Sequence, residues 1–127
     1  MAQEKPFSNC SVLVVEDELI IALDLSQTLR GLGCGIVGPA GSVKKAMALL
    51  ETHRPDIALL DEDVRGQAVT PVAEVLQRRG IPFVILSGYD RSLTGAEVLV
   101  NAMRVQKPVR PSAIPKLLNE LWHQSHS

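Results

Sequence analysis

The chain has 127 residues, a formal net charge of −1 and 46% hydrophobic residues. That length suits one domain able to bury roughly two thirds of its unfolded surface, so a single domain is expected over 1–127, with its core at about 10–122, frayed tails and little length for an effector. Near-neutral charge with scattered Lys and Arg argues against nucleic acid as the main partner, because backbone binding needs a basic patch.

The first nine residues carry Glu4, Lys5 and Pro6 but no apolar h-region, so they do not read as a signal peptide, and no apolar run is long enough to span a bilayer. Cys10 and Cys34 stand apart from any Cys-x-x-Cys pair and read as buried thiols of a reducing compartment. The expected address is the cytoplasm, with no membrane partner.

Taken in order, Val12-Leu13-Val14-Val15 predicts a first strand that ends on Glu16-Asp17-Glu18. A helix follows over Leu19 to Leu29, with Leu19, Ala22, Leu23 and Leu29 at helical spacing, stopped by Gly31 and Gly33. Ile36-Val37 predicts a short second strand before the turn Gly38-Pro39-Ala40-Gly41. Ser42 then caps a helix with Val43, Ala46, Met47 and Leu50 on one face. Ile57-Ala58-Leu59-Leu60 crosses as a buried strand and ends on Asp61. In the third helix Thr70 is the capping candidate, Pro71 the first residue, and Val72, Val75 and Leu76 the inner face, with Gly80 ending it. Phe83-Val84-Ile85-Leu86 is a fourth strand that ends on Ser87-Gly88. Tyr89 to Asn101 has only a weak helical pattern, started by Asp90 or Thr94 and broken by Gly95, and is expected to be short or irregular. Met103-Arg104-Val105-Gln106 is a fifth strand, ending on Lys107-Pro108. Ser112 caps a last helix with Ile114, Leu117, Leu118 and Leu121 inward, Pro115 in its first turn, and Trp122 against the sheet.

Alternating strands and helices point to a parallel sheet covered on both faces. Four of its strands deliver a polar group at the carboxyl end, the edge where such sheets hold ligands. Acids able to hold Mg²⁺ through oxygen, one nucleophilic acid, one hydroxyl and one lysine make a site for a phosphoryl group and its metal. Such transfer spreads charge over equatorial oxygens, so it needs a metal and a cation aimed at them and an in-line nucleophile.

These residues closely resemble the receiver domain of bacterial two-component response regulators, from Val12 to about Trp122. The resemblance implies a flavodoxin-like (CheY-like) doubly wound α/β fold: a five-stranded parallel sheet of order 2-1-3-4-5 with helices on both faces. It implies Asp61 as phosphoacceptor, Glu16 and Asp17 as the acidic pair for Mg²⁺, and the backbone carbonyl of Asp63 as a further metal ligand. Ser87 then hydrogen-bonds the phosphoryl group and Lys107 is its ion partner, before a cis bond to Pro108. The implied partners are a histidine kinase or histidine phosphotransfer protein and an unidentified downstream protein. The implied role is a phosphorylated signalling protein, or a phosphate sink, rather than a turnover enzyme.

Pro82-Phe83-Val84-Ile85-Leu86-Ser87-Gly88-Tyr89-Asp90 is similar to the Pro-Phe-x-Phe-Ala-Thr-Gly-Tyr pattern of the FATGUY receivers, often stand-alone proteins of alphaproteobacteria paired with HWE-type or related kinases. It departs from that pattern at Ile85, Leu86 and Ser87. Arg104 stands where most receivers carry an aromatic switch residue, so the expected switch runs through Gly88 and Tyr89 into the segment up to Asn101.

Other readings are weaker. Asp61-Glu62-Asp63-Val64 matches the signature of haloacid-dehalogenase-type phosphatases, but that signature belongs on a first strand, and the acids that should follow Lys107 are missing. A flavodoxin needs a phosphate cradle where Glu16-Asp17-Glu18 would repel phosphate. A phosphorylation-independent pseudo-receiver is opposed by the intact set Asp17, Asp61, Ser87 and Lys107. Gly33-Cys34-Gly35-Ile36-Val37-Gly38 has dinucleotide-motif spacing but leaves a helix for a strand, the reverse of the required context. Glu18 serves to begin the first helix. His53 reads as a helix-end charge, and His123 and His126 lie in a polar tail expected to fray.

Overall fold

The computed structural model describes residues 7–88 and 102–126. The order of elements is β1 (Ser11–Val15), α1 (Leu19–Gly31), β2 (Gly35–Ala40), α2 (Val43–Thr52), β3 (Ile57–Asp61), a small hairpin β4 (Asp63–Val64) and β5 (Gln67–Ala68), and α3 (Thr70–Arg78). Then come β6 (Phe83–Ser87), β7 (Met103–Gln106), a 3₁₀ turn at Pro111–Ala113 and a last helix, α4 (Ile114–His126). The large sheet has order β2-β1-β3-β6-β7 and every pairing in it is parallel. With the hairpin set aside, that is the 2-1-3-4-5 order of a flavodoxin-like receiver.

Alternation along the strands builds two cores. Leu13, Val15, Ala58, Leu60 and Ile85 face one side, against Val43, Ala46 and Leu50 of α2 and Val72, Ala73 and Leu76 of α3. Their neighbours Val12, Val14, Ile57, Leu59, Val84 and Leu86 face the other, against Leu25 and Leu29 of α1 and Ile114, Leu117, Leu118 and Leu121 of α4. β3 is buried at all five positions because it is central and covered on both faces. The chain leaves β1 in one direction to β2 and returns across it to β3. The crevice at the carboxyl ends of β1 and β3 is therefore the topological switch point.

Several local expectations are corrected. On α1 the inward stripe is Ala22, Leu25, Ser26 and Leu29, while Leu19 is 69% and Leu23 47% exposed. Both stripes have helical spacing, and packing against β1 and β2 of the sheet selects between them. β2 runs on through Gly38, Pro39 and Ala40 rather than turning there. The register against β1 shifts there, from Leu13 opposite Val37 to Val15 opposite Ala40, across a cis Gly38–Pro39 bond with Gly38 at φ +101°, and β2 lies at the sheet edge, where Pro is tolerated. A side chain on Gly38 would also bring its Cβ to 2.7 Å from the Ala40 nitrogen.

Thr70 lies inside α3, whose cap is Val69 with no side-chain bond, so Pro71 sits one residue deeper than expected. Ser112 lies within the 3₁₀ turn that leads into α4, not at a helix cap. α4 continues as helix through Gln124 to His126 instead of fraying at 124. The cap by Ser42 is present, its Oγ accepting from the Lys45 amide at 3.0 Å. His53 is the C-cap of α2, as read, with Nδ1 at 3.1 Å from the Leu49 carbonyl oxygen. The weak segment at 89–101, including Tyr89, Asp90 and Thr94, lies outside the described residues.

Candidate functional site

Three strands end together on polar groups. At the end of β1 the Glu16 amide donates to the Ala40 carbonyl at 2.9 Å, which fixes the backbone as it leaves the sheet. The Glu16 side chain turns inward and is 2% exposed. Asp61 closes β3 at 8% exposure, and Ser87 closes β6 at 2%. One carboxylate oxygen from each of Glu16, Asp17 and Asp61 lies within 4.8 Å of the others.

Lys107 enters from the end of β7, where its amide donates to the Ser87 carbonyl at 2.8 Å and its bond to Pro108 is cis, as expected. Its Nζ reaches Glu16 Oε1 at 2.8 Å and Asp61 Oδ1 at 3.3 Å. The contact to Glu16 is a charge contact without hydrogen-bond angles, because Oε1 accepts no hydrogen bond despite being buried. The other oxygen, Oε2, accepts from the Glu18 amide at 3.1 Å, so Glu18 contributes backbone rather than its carboxylate.

The hairpin forms the remaining wall. Arg65 and Gly66 have φ of +53° and +78°, the positive values that a two-residue primed turn requires at both central positions. Arg65 is not glycine, so this conformation carries a steric cost. It is held in place from two directions. Its amide donates to Asp17 Oδ2 at 2.8 Å, and its Nε donates to the Gly41 carbonyl at 2.8 Å. Asp63, exposed, opens this hairpin two residues after Asp61.

Electrostatics follow from this packing. Burial first, and then the neighbouring Glu16 charge, push Asp61 up to about 7, against the opposing pull of Lys107. Burial pushes Asp17 up too, but the Arg65 amide, Glu16 and Lys107 outweigh it and hold Asp17 below its ordinary range. Lys107 is pushed down by burial, yet Glu16 and Asp61 together hold it above its ordinary value.

Three carboxylates around one lysine leave the pocket short of positive charge. All three offer hard oxygen donors, and Glu16 Oε1 is a buried acceptor that accepts no hydrogen bond. That donor set fits a divalent cation that prefers oxygen.

The structure thus brings together Glu16, Asp17, Asp61, Ser87 and Lys107, the residues singled out in the sequence. Gly88 follows directly in the loop after β6, and Tyr89 lies outside the described residues. His123 is not near this site: it sits on α4 with Nδ1 at 2.7 Å from the Asn119 carbonyl oxygen. Sequence reading missed the anchoring of Arg65 to Asp17 and Gly41, although Arg65-Gly66 between short polar runs is a recognisable turn signal. It also missed an ion pair of 3.0 Å between Arg104 Nη2 and Glu62 Oε2, which places the residue at the aromatic-switch position beside the neighbour of Asp61.

A doubly wound parallel sheet with acids from its first and third strands and a lysine from its last is the architecture of a phosphoryl-signalling receiver. The chain belongs to that family: residues 12–119 match the response regulator receiver domain. It is 36% identical over 81 residues to the transcriptional regulatory protein PdtaR of Mycobacterium tuberculosis, covering 63% of this chain and 40% of that protein. It is 28% identical over 113 residues to the phyllosphere-induced regulator PhyR of Methylorubrum extorquens, covering 86% of this chain and 42% of that protein. The chain therefore spans about two fifths of the length of these relatives. Among solved structures, SdrG from Sphingomonas melonis Fr1 is similar at a TM-score of 0.76 and 35% identity, over 88% of this chain and 95% of that one.

Proposed function

We propose that this receiver accepts a phosphoryl group on Asp61, from a histidine kinase or a histidine phosphotransfer protein, in a Mg²⁺-dependent step. It then signals through a protein-binding face or drains phosphate from a pathway. The observation that carries this reading is the convergence of Glu16, Asp17 and Asp61 within 4.8 Å, faced by Lys107.

Glu16, Asp17, Asp61 and the Asp63 carbonyl would hold the Mg²⁺, which when bound supplies charge neutralisation for the phosphoryl oxygens. Asp61, as carboxylate, attacks phosphorus in line, and the phosphoryl–nitrogen bond to the donor histidine breaks as the acyl phosphate forms. Lys107 is already oriented toward the Asp61 carboxylate and meets the incoming negative charge. The Ser87 hydroxyl, at the end of the adjacent strand, donates to a phosphoryl oxygen. The chain takes part as acceptor, with only its own phosphorylation and dephosphorylation as chemistry, and is not a turnover enzyme.

Incubation with a small-molecule phosphodonor tests this reading. Wild type should gain one acid-stable, base-labile phosphoryl group only when Mg²⁺ is present, and Asp61→Asn should gain none. Equal incorporation in that variant sinks the assignment.

A phosphorylation-independent binding module is the second reading. It is favoured by one observation: Lys107 already pairs with Glu16 and Asp61, and Arg65 with Asp17, so the pocket is partly neutralised by the chain itself. Absence of incorporation in wild type would support it.

A further inference from the structure

We propose that Cys10 and Cys34 form a modification site, a dithiol that a peroxide closes into an intramolecular disulfide across the amino-terminal ends of β1 and β2. The two residues are far apart in sequence, yet the fold makes them neighbours. Ser11 faces Gly35 in the β1–β2 ladder, and the Gly35 amide donates to the Cys10 carbonyl at 3.0 Å. Cys10 and Cys34 each lie one step before that pair. Adjacent strands run about 4.8 Å apart, within the Cα separation of roughly 4.4–6.8 Å that a disulfide spans.

Both side chains point to the same face. They are 4% and 5% exposed and belong to the core cluster that includes Leu29 and Leu121. Their backbones are pinned, Cys10 by its amide to the Phe7 carbonyl at 3.1 Å and Cys34 by its amide to the Leu29 carbonyl at 3.0 Å. The two thiols are therefore held within one packed cluster rather than finding one another by diffusion.

Burial alone would make both thiols inert. Cys10, however, lines a cavity of about 410 Å³ with Phe7, Asn119, Trp122 and His123, which gives a small oxidant a route to the pair. The thiols also perturb each other. Hydrogen bonding between them holds Cys34 below its ordinary value against its burial and, together with burial, Cys10 well above, the mark of two sulfurs in contact.

The chemistry balances with a peroxide as the two-electron oxidant. One sulfur of the pair, giving up its proton, attacks a peroxide oxygen, the O–O bond breaks, and the departing hydroxide takes that proton as water. The resulting sulfenic acid is attacked by the other sulfur of the pair, the S–S bond forms, the S–O bond breaks, and the second hydroxide leaves as water with that thiol's proton. The closed loop contains β1, Glu16, Asp17 and α1, so the crosslink ties the element that carries the acidic pair to its neighbouring strand.

Wild type, freshly reduced, is exposed to hydrogen peroxide in native buffer, alkylated in denaturant, digested and mapped by mass spectrometry. The expected result is a chain two hydrogens lighter, a linked peptide pair containing Cys10 and Cys34 in the monomer, and recovery of both alkylation sites after dithiothreitol. Cys10→Ser retains a hydroxyl donor beside Cys34, and should stop at a sulfenic acid trapped by dimedone. The proposal is overturned if both wild-type cysteines still alkylate after an exposure that oxidises free cysteine, or if linkage appears only between chains. Should the Cys10→Ser variant not fold, the wild-type map decides alone.

Discussion

The two ends of the central sheet follow opposite rules. At the carboxyl edge, Glu16, Asp61 and Ser87 are buried polar groups, and Lys107 is held among them by charge. At the amino edge, Cys10 and Cys34 are buried in an apolar cluster with Leu29, Ile114 and Leu121, where dispersion and hydrophobic burial dominate. The lesson is a division of labour along each strand: apolar residues fix where the strand lies, and the residue just past its end spends part of that stability on chemistry. Removing an apolar anchor should then cost folding without touching the site, while altering an acid should change chemistry and can raise stability.

The strongest break in this contrast is Leu118→Ala. Leu118 is fully buried between α4 and the sheet, so truncation should cost about 2–5 kcal/mol by lost transfer and a residual cavity. Urea unfolding reads that cost. Phosphoryl incorporation per folded molecule should remain within about twofold of wild type well below the melting point; a loss tracking the stability loss would merge the two regions.

The second effect is pH-dependent and belongs to the carboxyl edge alone. Without Mg²⁺, Asp61 has a folded-state value raised to about 7 from an ordinary 3.8. The folded protein therefore binds this proton more tightly than the unfolded chain does, and the contribution favours folding at low pH. It is lost as pH rises from about 4 through about 7. Asp17, held below its ordinary value, acts in the opposite sense only at lower pH, where its stabilisation is lost on acidification. Lys107, held above its ordinary value, contributes stability lost only at strongly alkaline pH. Metal-free protein should accordingly be less stable at pH 8 than at pH 5.5, by on the order of 2 kcal/mol. Mg²⁺ should reverse that trend, and its affinity should climb as pH rises toward 7. Asp61→Asn, lacking the charge, should melt higher than wild type at pH 8 without metal. Equal slopes for wild type and variant in EDTA would remove Asp61 as the source.

The smallest effect sharpens the boundary between the regions. Ser42→Ala removes the acceptor for the Lys45 amide at the start of α2 and should cost about 1 kcal/mol. Ser42 follows Gly41, whose carbonyl holds Arg65. If Mg²⁺ affinity falls as well, the cap also supports the hairpin wall; if only the unfolding midpoint moves, the wall is independent of it.

Much of this was legible in one dimension because it depends on local periodicity. Alternation and apolar runs determined the five strands, and the polar residues just past them marked Glu16, Asp17, Asp61, Ser87 and Lys107, since a strand's end is a local event. The cap at Ser42 and the inward face of α4 were likewise readable, because a hydroxyl before an amphipathic run and a helical stripe are short-range signals. Other features needed the third dimension. Whether α1 buries Leu25 or exposes Leu23 depends on how it lies on β1 and β2, and both stripes satisfy the same spacing. The grip of Arg65 on Asp17 and Gly41, and the pair Arg104–Glu62, join residues distant in sequence, with no periodic trace. The sequence separates Cys10 and Cys34 by a strand and a helix; only the parallel register of β1 and β2 makes them neighbours, because a crossover connection returns the chain beside the strand it left.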